Sequence, residues 1–117
     1  MNLVKIWHNP RCSKSREALN ILESSTCKSE IVKYLEATPS SNEIKETLRM
    51  LSISPRELMR TKEDIYKELN LANEINEDAL VEAMAKNPVL IERPVLFKNG
   101  RAIIGRPTSI IEDFLNS

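Results

Sequence analysis

The densest run of chemically competent side chains is His8-Asn9-Pro10-Arg11-Cys12-Ser13-Lys14-Ser15-Arg16. Thiolate is the nucleophilic form of cysteine, and nearby cations or a helix N-terminus make it form at lower pH. Arg11, Lys14 and Arg16 supply positive charge around Cys12, and a protonated His8 would add to it. Cys12 falls between the end of one apolar segment and the start of a helical one, where unpaired backbone N–H groups and the helix dipole favour an anion. This setting predicts a reactive thiolate rather than the small buried hydrophobe that a lone cysteine more often is. For His8 two readings stay open: it tunes the thiol, or it ends the preceding strand.

Spacing narrows the chemistry. A CxxC dithiol would need a second thiol at position 15, where Ser15 stands, so any resolving thiol comes from elsewhere. A phosphatase-like CxxxxxR loop would need arginine at position 18, which is alanine. The other cysteine, Cys27, reads as a structural thiol. Two cysteines and one histidine, without CxxC or HxxxH spacing, make no tetrahedral metal site. Arg60 follows the apolar pair Leu58-Met59, while Arg93 and Arg106 each precede a proline. Alone, each is an ordinary surface arginine. Converging, their planar guanidinium groups would suit a tetrahedral oxyanion. Gly105, one of two glycines, adjoins Arg106 and hints at a constrained backbone there.

The elements that must position these groups follow from hydrophobic periodicity. Leu3–Trp7 reads as a buried strand and 13–24 as a helix with Ala18, Leu19 and Leu22 on one face. Ile31, Val32, Tyr34 and Leu35 suggest a second buried strand. Thr38-Pro39-Ser40-Ser41 breaks it before a helix carrying Ile44, Leu48 and Leu51. Ser54-Pro55-Arg56-Glu57 combines a capping box with proline at the first helical position, and short helices are expected at 55–59 and 62–69. Asn76 can cap a further helix ending before Pro88, and Val89-Leu90-Ile91 reads equally as strand or helix tail. Asn99-Gly100 between two apolar runs is a strong hairpin signal. Thr108 is a candidate N-cap for a last helix. The order βαβ, helices, hairpin, helix predicts an α/β fold: a mixed sheet of about four strands, with the reactive cysteine after the first, in a thioredoxin-type layout.

Composition sets limits. A chain of 117 residues, 41% hydrophobic, predicts one compact domain over residues 1–117, large enough to fold without disulfides. Seventeen basic and seventeen acidic residues cancel, arguing against a nucleic-acid binder. No apolar run approaches the ~20 residues that span a bilayer, so no membrane is expected. The start, Met1 to Trp7, has no signal-peptide core, which makes the cytoplasm the expected location.

The segment Trp7–Arg16 resembles the active-site signature of the ArsC-type, glutaredoxin-coupled arsenate reductases. The similarity continues through Arg56-Glu57-Leu58-Met59-Arg60, through Asn87–Pro94, and through Gly105-Arg106-Pro107. Well-studied members run longer beyond the final helix, and shorter members share the motif. The resemblance implies a thioredoxin-like fold with an inserted helical region at roughly 41–87, and reduction of arsenate to arsenite. It implies Cys12 as nucleophile and Arg60, Arg93 and Arg106 as oxyanion holders. His8 and Ser15 would lower or hydrogen-bond the thiolate, alongside Arg16, and Pro94 is the candidate cis-proline facing the cysteine. Glutathione would be a co-substrate and glutaredoxin a partner, with no bound cofactor. Two alternatives are another glutathione-linked thiol oxidoreductase and a non-enzymatic regulator of the Spx type. The latter usually carries CxxC, against which Ser15 argues.

Overall fold

The computed structural model describes residues 3–117; Met1 and Asn2, the start of the segment read above for a signal peptide, lie outside them. The chain divides into two compact units, one comprising the residues up to Ala37 together with Arg93–Ser117, the other Thr38–Glu92.

In the first unit, β1 (Leu3–Trp7), β2 (Lys28–Val32), β3 (Val95–Lys98) and β4 (Arg101–Ile104) form one sheet in the order β2-β1-β3-β4. β1 runs parallel to β2 and antiparallel to β3, and β3 is antiparallel to β4. A mixed four-stranded sheet is what a βαβ unit followed by a hairpin must build. The hairpin turns on Asn99 (φ 53°) and Gly100 (φ 76°), the left-handed pair such a tight turn requires. Alternation along the strands sorts the two faces. Val4, Ile6 and Leu96 point one way, into a core completed by α1 (Ser13–Glu23) and α6 (Ser109–Leu115) through Ala18, Leu22, Ile111 and Phe114. On the other face, Trp7 packs edge-on to Phe97 with centroids 5.0 Å apart and stacks on Tyr34 at 6.4 Å.

Two sequence expectations shift here. The second strand is an exposed edge strand rather than a buried one, and it ends at Val32 instead of reaching Leu35, because the Lys33 carbonyl accepts from the N–H groups of both Glu36 and Ala37 and turns the chain. Thr108 precedes α6, but its side chain makes no capping bond.

The second unit is mainly helical: α2 (Ser41–Leu51), α3 (Pro55–Leu58), α4 (Asp64–Glu68) and α5 (Glu77–Lys86), with short 3-10 turns at Leu71–Asn73 and Pro88–Leu90. α2 packs on α5, burying Ile44 and Leu48 with Leu80, Val81 and Met84. Ser40 and Glu43 form a reciprocal capping box on α2. At α3, the Glu57 carboxylate accepts from the Ser54 N–H and hydroxyl. Val89-Leu90-Ile91 resolves as a 3-10 turn followed by a single bridge from Ile91 to Met59. Among the described residues, no helix is long and apolar enough to cross a membrane.

Candidate active site

β1 ends at Trp7, and the chain crosses to α1 through a loop that holds itself by its own polar groups. The Cys12 N–H donates to the Asn9 carbonyl at 3.0 Å, and the Arg11 N–H to Asn9 Oδ1 at 3.0 Å. This local satisfaction suits an Asn-Pro turn. Cys12 then serves as N-cap of α1, its carbonyl accepting from the Arg16 N–H at 2.9 Å. Its side chain is therefore set at the positive end of an eleven-residue helix, half-buried.

Two arginines from the other end of the chain meet this thiol. Arg106 Nη2 lies 3.5 Å from Cys12 Sγ, while its Nε donates to the Arg93 carbonyl at 2.6 Å. The Arg93 side chain also hydrogen-bonds the sulfur. Burial by itself pushes the Cys12 thiol up. It is outweighed by the Ser15 N–H, the Arg93 guanidinium and the Lys14 N–H, which favour the anion and bring the group below its ordinary value. The peptides preceding Pro94 and Pro107 are both cis. Gly105 explains how the two segments come so close. Its N–H donates to the Pro94 carbonyl at 2.8 Å, and a Cβ there would stand 3.0 Å from Pro94 Cγ and 3.1 Å from Leu96 Cδ1.

His8 and Ser15 form a buried pair beneath the loop. His8 Nδ1 and Ser15 Oγ are 2.7 Å apart, and Ser15 Oγ also accepts from the Asn9 N–H at 3.0 Å. Burial, and next the Lys33 ammonium, hold the His8 imidazole below its ordinary value, so it is neutral at pH 7. His8 thus supplies no positive charge to the thiol, unlike the protonated His8 that the sequence left open. Ser15 reaches the sulfur through its backbone N–H, its hydroxyl being occupied by His8 and Asn9.

The ArsC family model matches residues 7–114. The chain is 48% identical over 114 residues to a protein named arsenate reductase from Neisseria meningitidis serogroup A, covering 96% of this chain and 97% of that one. It is 54% identical over 106 residues to the uncharacterized protein YfgD of Escherichia coli K12, covering 89% of both. A solved structure titled arsenate reductase from Vibrio cholerae superposes with a TM-score of 0.92 at 46% identity, over 96% of this chain and 97% of that one. The chain belongs to the ArsC family. Its fold is accordingly the thioredoxin-like α/β fold of that family.

The remaining candidates of this ArsC-family chain have partners of their own. Arg16 directs Nη1 to the Pro10 carbonyl at 3.0 Å, bracing the loop. Arg60 belongs to the second unit, where its backbone N–H bonds the Leu90 carbonyl at 2.7 Å. Its Nε pairs with Glu63 and its Nη1 with Glu92, each at 3.1 Å. Asn9, which the sequence reading passed over, uses its N–H, carbonyl and side-chain oxygen together to shape the loop. Its Asn-Pro dipeptide was the available signal. Among the described residues no three His, Cys, Asp or Glu side chains gather as a metal site.

Proposed function

We propose that this chain is an arsenate reductase whose nucleophile is Cys12. The observation that carries the reading is a thiol at the N-cap position of α1, lowered below its ordinary pKa, with the donors of Arg93 and Arg106 at its sulfur. The name of the Neisseria relative supports it. A thiolate attacks arsenic(V) and displaces one oxygen as hydroxide or water, leaving a thioarsenate ester. Arg93 and Arg106 offset the charge on the arsenate oxygens during attack, a role suited to donors fixed by backbone bonds. Glutathione displaces a second oxygen to give a sulfur-bridged arsenic(V). Glutaredoxin thiolate then attacks the glutathione sulfur, forming a mixed disulfide and passing two electrons to arsenic. Water releases arsenite and regenerates Cys12. One protein thiol suffices, in keeping with Ser15 where a second cysteine would stand. The cycle needs a reducing compartment, and the cytoplasm is the one it fits.

The test is arsenate-dependent NADPH oxidation coupled through glutathione, glutaredoxin and glutathione reductase. Wild type should turn over and Cys12→Ser should not. A wild-type protein silent in a working coupling system would remove arsenate as substrate.

A further inference from the structure

β2 is an outer strand of the sheet, and its far edge pairs with no other strand among the described residues. Lys28, Ser29, Glu30 and Ile31 are all exposed. The His8 N–H donates to the Val32 carbonyl at 2.8 Å, so Val32 turns its backbone groups toward β1. Alternation along the strand gives Glu30 and Lys28 the same direction. It sends the N–H and C=O groups of Ser29 and Ile31 to the open edge. The Cys27 N–H is already given to Ser25 Oγ at 3.2 Å, so at that position only the carbonyl can enter a ladder. An edge of this kind is a template for another strand.

The side chains say which strand fits. Lys28 and Glu30 share one face of β2, and neither joins an ion pair among the described residues. Lys5, opposite Glu30 on β1, places its ammonium over the Phe97 ring, 4.6 Å from the centroid. On the other face Ile31 is 43% exposed and Cys27 is half-buried. The run Cys27-Lys28-Ser29-Glu30-Ile31 is thus complementary to its own reverse: cation meets anion and apolar meets apolar. We infer that two copies of this chain associate through β2, antiparallel about a two-fold axis at Ser29, joining their sheets into one. Lys28 then faces the partner's Glu30 in a non-hydrogen-bonded pair, where opposed side chains are closest. The two Ser29 N–H groups donate to each other's carbonyls, and the Ile31 N–H donates to the partner's Cys27 carbonyl. An axis at Glu30 would oppose that carboxylate with itself, and one at Ile31 would leave both charges without a counterpart. Charge therefore selects the register. So short a pairing lies below the about 1,200–2,000 Å² of a stable interface, which makes the dimer transient.

Sedimentation velocity on the full chain, with both thiols kept reduced, tests this independently of arsenate turnover. Wild type should show a reversible dimer by about 1 mM, the weak end of specific association. Amide hydrogen exchange at that concentration should slow at Ser29 and Ile31 but not at Glu30, whose N–H already faces β1. Lys28→Glu and Glu30→Lys each set like charges together twice about the axis, and each should weaken association at least about tenfold. An equal mixture of the two variants should associate again, because one carries only carboxylates at these positions and the other only ammonium groups. That recovery also shows that both variants are folded. Ser29→Pro, a change an edge strand tolerates, removes an outward donor and should abolish the dimer. A wild type still monomeric at about 1 mM overturns the second copy as occupant and leaves the edge to an extended segment of another protein. Association that both charge reversals leave intact overturns β2 as the contact, and a mixture that stays monomeric overturns the register.

Discussion

The two cysteines stand near opposite ends of the same helix, and the contrast shows what makes a thiol reactive. Cys12 caps the N-terminus of α1, facing backbone N–H groups and two guanidinium groups. Cys27 lies just beyond the C-terminal end, its sulfur 4.0 Å from the Leu115 carbonyl and packed against the apolar cluster of Leu22 and Phe114. One environment offers only donors, the other an acceptor and hydrocarbon. Donors stabilise a thiolate and acceptors do not, so identical side chains diverge because the helix between them is polar.

Iodoacetamide labelling at pH 7 should break or keep this comparison most sharply. Cys12 should react faster than Cys27, because only its sulfur faces donors that favour the thiolate. Equal rates would end the claim of an activated thiolate. Next, Arg93→Ala or Arg106→Ala removes a donor that favours the anion. The Cys12 pKa should rise, its labelling–pH profile should move to higher pH, and its rate at pH 7 should fall about three- to tenfold. Cys27 should not respond to either change.

Ser15→Ala sharpens the same point by separating hydroxyl from backbone. It leaves the buried His8 Nδ1 and the Asn9 N–H without their shared partner, costing about 1–3 kcal/mol in urea unfolding. The Ser15 N–H survives, so labelling of Cys12 in the folded protein should hardly change. A large loss of labelling would show that the hydroxyl itself serves the sulfur. The smallest effect belongs to the other end. Lys98 is buried and gives its ammonium to the Leu115 and Ser117 carbonyls. Lys98→Met should cost about 1 kcal/mol and speed Cys27 labelling by loosening the end of α6, with Cys12 unaffected.

Local features were legible where the cause was local. The hairpin at Asn99-Gly100 was readable because few other residue pairs accept two successive positive φ values. The capping box of α2 carried a local signal too, Ser40 three residues before Glu43, although the run was read only as a break. The second strand was read too long, because Tyr34 and Leu35 are as apolar as strand residues, and the turn at the Lys33 carbonyl leaves no mark in hydropathy.

At the site the same division holds. A basic, polar run at a strand-to-helix junction already determined that Cys12 would meet helix N–H groups, because these lie within three residues along the chain. Only the tertiary structure decided which arginines reach the sulfur. Arg106 is 94 residues away and arrives through the sheet pairing of β3 with β1, together with the space left by Gly105. Within the second unit, too, only the fold pairs Arg60 with Glu63 and Glu92. The charge state of His8 was likewise set by burial, which depends on what packs around a residue and cannot be read from its neighbours in sequence.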